Sequence, residues 1–219
     1  MKKITIKNFK SINHIEFEPK RVNVFIGEGG AGKTNILECI DKEVKDTKTY
    51  IYNDYRGEVP NEKTSVLKHP FGLNLFLLLS VNTELREQVS SLLNLPKKYF
   101  HHNLSETYKR AIFYLVAMET NKNATLLFDG LGEYMFPKMI KFFANMIILD
   151  DENQYFLSTH SPYMLNPLIS SLGDDELNII LTYYKDNQTK IKVLNNEELS
   201  EIQEWNMDVF FNLDKFIKL

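Results

Sequence analysis

Cysteine is nearly absent: Cys39 stands alone among 219 residues. One thiol cannot close an intramolecular disulfide, and a lone Cys in an apolar stretch reads as buried and inert. Long apolar runs are missing too. The longest strongly apolar stretch, residues 75–79, is far below the ~20 residues of a membrane-crossing helix. Residues 1–12 alternate charged and apolar side chains and hold no apolar core of a secretory signal. A reducing cytoplasm is the expected setting. Positive charge is not in excess. With 26 Lys and Arg against 29 Asp and Glu, the net charge is −3, so the whole-chain balance announces neither nucleic acid nor an anionic membrane. A local basic patch would be hidden in that sum. Arginine is missing from residue 158 onward. There is no internal repeat and no low-complexity segment. At 43% hydrophobic and 25% charged residues, the chain can bury a sizeable core, and residues 1–219 are expected to form one domain.

What is present alternates in period. Short period-2 or continuous apolar runs predict strands at residues 4–9, 15–17 and 21–26, then at 49–52, 124–128, 154–158, 177–184 and 190–194. Helical spacing predicts helices from Lys33 to about residue 45, over 71–79, 85–95, 105–119 and 137–148, and from Ser161-Pro162 onward. Ser105 can N-cap its helix. Residues 56–70 read as loop, and 197–219 as an amphipathic C-terminal helix whose Trp205, Phe210, Phe211, Phe216 and Ile217 pack on the core. Strands alternating with helices indicate an α/β domain.

One stretch carries chemistry outright. Gly27-Glu28-Gly29-Gly30-Ala31-Gly32-Lys33-Thr34 matches G-x-x-x-x-G-K-[ST] at every fixed position, between an expected strand and an expected helix. Backbone N–H groups and the positive end of a helix dipole there face a common anion. Glycines let the backbone approach it closely. Lys33 is suited to the β- and γ-phosphates, and the Thr34 hydroxyl to Mg²⁺. Asn35 follows at the helix start. The pattern predicts a nucleoside triphosphate site.

Two further strand ends point the same way. Phe128 runs into Asp129, and Leu157-Ser158-Thr159 runs into His160. In an open parallel α/β sheet, ligands sit at the carboxyl ends of the strands. Parallel strands would therefore bring Lys33, Asp129 and His160 to one nucleotide. Asp129 would orient Mg²⁺ with Thr34, and His160 would sense the γ-phosphate. The adjacent His101 and His102 lack the spaced partners of a metal site.

These residues also carry a family resemblance. Leu104-Ser105-Glu106-Thr107-Tyr108-Lys109-Arg110 resembles the signature motif of ABC-type ATPases. Ser158-Thr159-His160-Ser161-Pro162 resembles their H-loop. Ile6-Lys7-Asn8-Phe9-Lys10-Ser11-Ile12 resembles the opening of the SMC, RecF and OLD-like branch, and the order of motifs matches that branch. Residues 126–137, followed by the His strand, resemble small stand-alone AAA family ATPases of the kind common in archaea. The resemblance spans roughly residues 1–167. It implies a P-loop NTPase fold with a mixed, mostly parallel sheet, flanking helices and a small helical lobe at about 70–120. It also implies an ATP- and Mg²⁺-dependent homodimer. Two subunits would close head to head on two ATP molecules, each offering its Ser105 to the other's γ-phosphate. A nucleic-acid or protein partner, in DNA maintenance or defence, is implied by analogy alone.

The chain departs from that pattern in places. The family's catalytic Glu follows the Walker B acid, whereas here Gly130 follows Asp129. Glu133 is near and is the remaining catalytic candidate, expected at the start of the next element. No Gln precedes Gln88, so Asn53 is the substitute for a Q-loop amide. Thr107 stands at a signature glycine position. Slow hydrolysis is expected, and a Glu placed at 130 would raise it. About 70 residues separate Thr34 from Ser105, without heptads for a coiled coil, and the residues after His160 lack a Toprim acidic cluster. Three readings stay open: an ABC/SMC-like ATPase head, a catalytically weak nucleotide-dependent switch or scaffold, and a small P-loop kinase. The last would need the arginine-rich lid that the C-terminal part does not provide.

Overall fold

The computed structural model describes residues 3–43, 47–51, 66–67, 83–93, 105–205 and 207–217. The helix expected at 71–79, Asn53, His101 and His102 lie outside them. The chain opens with an antiparallel pair, β1 (Ile4–Phe9) and β2 (Ile12–Phe17), then β3 (Val22–Ile26) and α1 (Lys33–Glu43). Next come β4 (Thr47–Ile51), β5 (Val66–Leu67), α2 (Thr83–Leu92) and α3 (Glu106–Glu119). The second half runs β6 (Thr125–Asp129), α4 (Pro137–Leu149), β7 (Gln154–Ser158), α5 (Pro162–Ser171), β8 (Leu177–Lys185), β9 (Gln188–Val193) and α6 (Asn196–Glu204). A 3₁₀ turn (Val209–Phe211) and the short α7 (Leu213–Phe216) follow.

Seven strands form one sheet in the order β5-β4-β6-β7-β3-β8-β9. All neighbours are parallel except β8 and β9, which make a hairpin through Asp186 and Asn187 at φ 55° and 57°. The mixed, mostly parallel α/β sheet expected from the sequence is therefore present. β3 lies inside it with all five residues buried, and four of the five are apolar; the exception, Asn23, donates to the Lys20 and Tyr155 carbonyls. Alternation along the central strands splits the core in two. Val24, Ile26, Leu126, Phe128, Tyr155, Leu157, Ile179 and Leu181 face α3, α4 and α5. Phe25, Leu127, Phe156 and Ile180 face α1 and the β1–β2 pair, where Cys39 is also buried.

Two expectations change. The composition of residues 56–70 predicts loop, but Val66–Leu67 pairs in parallel with β4 at the sheet edge. Two residues are too few to show a period. The spacing over residues 197–219 predicts one helix, but α6 stops at Glu204. The Asp208 carboxylate accepts from Phe210 N, and Asn212 Nδ2 donates to the Asp208 carbonyl. These side chains offer the backbone local partners that compete with a continuing helix. Val209 and Phe216 are still buried on the core, whereas Trp205 and Phe211 are exposed at 74% and 89% rather than packed.

Candidate functional site

The sheet order decides the site. β6, β7 and β3 are parallel neighbours, so their carboxyl ends share one edge of the sheet. There a cleft of about 400 Å³ is lined by Gly29, Gly30, Gly32, Lys33, Thr34, Asn35, Asp129, Gly130, Glu133, Ser158 and His160. Lys33, Asp129 and His160, separated by up to 127 residues in sequence, meet as expected.

The glycine-rich loop joins β3 to α1. One of its tightest contacts is with β9: a Cβ at Gly32, which has φ 105°, would lie 2.2 Å from Thr189 Oγ1. Thr189 in turn donates to the carbonyl of the buried Ala31 at 2.9 Å, and its hydroxyl is 2.7 Å from that of Ser11. Asn35 Nδ2 donates to Ser11 Oγ at 2.9 Å. The edge hairpin and the β1–β2 turn thus buttress the loop. Glu28 is exposed while its carbonyl, with that of Gly27, accepts from Lys33 Nζ at 2.8 and 2.9 Å. Lys33 is only 7% exposed. Burial lowers its pKa, and the Asp129 and Glu133 carboxylates oppose that shift.

Thr34 Oγ1 donates to Asp129 Oδ2 at 2.8 Å. A hydroxyl and a carboxylate from two different elements thus share one small space, which suits a hard cation with oxygen ligands. Among the described residues, no group of three His, Cys, Asp or Glu could hold a metal by itself. This donor set fits Mg²⁺, which takes few protein ligands and completes its shell with phosphate and water. Ser158, the last residue of β7, donates to Asp129 Oδ1 and accepts from Gly130 N at 2.8 Å. Tyr114 OH, from α3, donates to the Asp129 carbonyl at 3.1 Å. Sequence reasoning missed both. Ser158 had a signal, a polar residue closing an otherwise apolar buried strand; Tyr114 had none, because it sits among core residues of a helix.

His160 lies one residue beyond Thr159, whose hydroxyl donates to the Leu131 carbonyl at 2.8 Å. Its ring is 6.5 Å from that of Phe210, in the C-terminal 3₁₀ turn. Burial first, then the Lys33 charge, lower its pKa; Asp129 opposes them. It is therefore a neutral imidazole at neutral pH.

Ser105 occupies the N-cap position of α3, but its side chain makes no capping hydrogen bond, and it does not line its own chain's cleft. Thr107 Oγ1 donates to the Tyr134 carbonyl at 2.9 Å, linking α3 to the segment after β6. Gln88 lies in α2 and donates to Glu119, away from the cleft.

The segment after Asp129 corrects two expectations. Glu133 does not begin the next element. It closes a turn, with Glu133 N donating to the Gly130 carbonyl at 3.1 Å, and α4 begins only at Pro137. Gly130 has φ 70°, and a Cβ built there would stand 2.8 Å from Glu133 Cδ and 2.9 and 3.0 Å from its oxygens. A Glu at 130 would be strained in backbone and would collide with the carboxylate already there, so no gain in turnover is expected from it. Burial raises the Glu133 pKa; Arg110, whose Nη1 is 4.0 Å from Oε2, and then Lys33 lower it, while Asp129 raises it further.

The sequence of residues 1–76 matches the family model of the AAA ATPase domain. No curated protein matches the chain. Among solved structures, an SMC head bound to the C-terminal winged-helix domain of ScpA aligns at a TM-score of 0.58 and 12% identity, over 92% of this chain and 99% of that one. The SMC head domain of Thermotoga maritima aligns at 0.56 and 14%, over 89% and 98%. An ATP-binding cassette of an ABC transporter in its ADP conformation aligns at 0.53 and 13%, over 92% of each chain. Among the described residues, no helix is long and apolar enough to cross a membrane. The fold is thus the one seen in SMC heads and ABC-transporter cassettes, and residues 1–76 match the AAA ATPase domain in sequence.

Proposed function

We propose that this chain binds ATP with Mg²⁺ in the cleft at the ends of β3, β6 and β7, dimerises on it, and hydrolyses it slowly. The observation that carries the reading is the Thr34–Asp129 hydrogen bond beside the Lys33 ammonium. It places the metal-side hydroxyl, the metal-side carboxylate and the phosphate-side cation around one space. The backbone N–H groups of residues 29–34 would cradle the β-phosphate, and Lys33 would exchange its two loop carbonyls for phosphate oxygens. Bound Mg²⁺ would offset charge on the β- and γ-oxygens. Ser158 holds the Asp129 carboxylate facing Thr34. The neutral His160 can donate a hydrogen bond to the γ-phosphate through its one ring N–H without adding a positive charge to the site.

Dimerisation is supported by Ser105. Its hydroxyl and the first N–H groups of α3 stand outside the cleft of their own chain, available to the γ-phosphate held by a second copy. Slow turnover is supported by the absence of a carboxylate directly after Asp129, where Gly130 stands. The same glycine favours a second reading, a nucleotide-dependent switch that hardly turns over. A DNA role rests on the resemblance to SMC-type heads alone. The test is equilibrium binding of a fluorescent ATP analogue with Mg²⁺. Lys33→Ala should weaken it about 10- to 100-fold, the loss of one or two charge-assisted bonds. Equal binding by both proteins would overturn the assignment.

A further inference from the structure

Resting on the reading of the cleft as an ATP hydrolysis site, we infer that Glu133 is the carboxylate that activates the attacking water, and that residue 130 is glycine because this carboxylate occupies the space its side chain would need.

Among the described residues, two carboxylates line the cleft, Asp129 and Glu133. Both oxygens of Asp129 are engaged, Oδ2 by Thr34 and Oδ1 by Ser158, so Asp129 is committed to the metal side. Glu133 has no such commitment to the metal side. The turn closed by Glu133 N on the Gly130 carbonyl folds its side chain back along the strand end. Its carboxyl atoms then lie within 3.0 Å of where a Cβ at 130 would stand. A carboxylate three residues late in sequence is thus brought beside the first position after β6. Partial burial raises its proton affinity, which suits a proton acceptor. Arg110, from α3, approaches the carboxylate and stacks its guanidinium 4.6 Å from the Tyr134 ring, which limits where the carboxylate can swing.

The step balances without any further reagent. The water oxygen forms a bond to the γ-phosphorus, and the bond from that phosphorus to the β,γ-bridging oxygen breaks. ADP leaves with that oxygen. One water proton passes to the Glu133 carboxylate and from there to solvent, and the other remains on the inorganic phosphate. Among the described residues lining the cleft, the neutral His160 could also accept a proton.

The experiment measures phosphate release and ATP-analogue binding for the full chain, with Mg²⁺, in wild type, Lys33→Ala, Glu133→Gln, Gly130→Ala and the double variant Glu133→Gln/Gly130→Ala. Thermal melts accompany each protein to confirm folding. The inference expects Glu133→Gln to bind the analogue as wild type does and to lose about 10²-fold or more in kcat, the size of a general-base contribution. Gly130→Ala, whose Cβ displaces the carboxylate, should lose kcat when made in wild type and little more when added to Glu133→Gln, a non-additivity expected of two changes at one interaction. Lys33-dependent hydrolysis that survives Glu133→Gln would overturn the inference, leave the ATP site standing, and turn attention to His160. Binding without any hydrolysis by wild type would also overturn it. Absence of Lys33-dependent binding would overturn the underlying reading itself.

Discussion

Burial and the Lys33 ammonium both disfavour a proton on His160, so folding and pH are linked at this residue. An unfolded His takes up its proton near pH 6.5, and the folded one only at lower pH. Between those values the unfolded chain binds more protons, so stability present above about pH 6.5 is lost as pH falls through the folded pKa. Urea midpoints at pH 7.5 and 5.5 should fall with pH in wild type, and fall less in His160→Asn. An equal fall in both would remove His160 as a source. At this scale the sequence is legible where a motif fixes the spacing: Lys33, Thr34, Asp129 and His160 all line one cleft. It is not legible where a backbone turn decides. Glu133 is a catalytic candidate in the sequence but is expected at the start of the next element; the positive φ of Gly130 and the Glu133 N–Gly130 O bond instead put it in a turn, with its carboxylate beside residue 130.

Elements with strong local signals match their expected ranges with small boundary changes. β3, β6 and β7 are rich in apolar residues, and α4 and α5 begin at prolines whose missing N–H costs nothing in a first helical turn. The tail shows the opposite case. Ile202, Val209 and Phe216 recur every seven residues and suggest one helical face, yet Asp208 and Asn212 break it. What holds α6 is its start. Asn195 Oδ1 accepts from Glu198 N at 2.9 Å, and Glu198 Oε2 accepts from Asn195 N at 3.1 Å, a reciprocal capping box. Asn195→Ala should cost about 1 kcal/mol of unfolding free energy, read from urea denaturation. Because the 3₁₀ turn after α6 sets Phe210 against His160, the same variant tests whether loosening the tail reaches the site: ATP-analogue affinity should change little if the Thr159 anchor alone holds His160.

For the whole molecule, the sequence shows alternation of strand and helix but not the order of strands. β3 pairs with β7 and β8, more than 130 residues away, and only packing on both faces of the sheet selects those neighbours. That order makes the cleft, because it sets three strand ends side by side. It leaves Ser105, the Tyr134 ring (76% exposed) and Phe136 (73% exposed) outside the cleft on surfaces of the same chain. Ligand bridging of two such chains would shift the population toward a closed pair, with ATP present at both contacts. Mass in solution by light scattering, with and without ATP and Mg²⁺, tests this most directly. ATP-driven pairing predicts 25.7 kDa without nucleotide and about twice that with it, and no change for Lys33→Ala. A wild-type chain that binds ATP at the P-loop and hydrolyses it while its mass stays at the monomer value would contradict it.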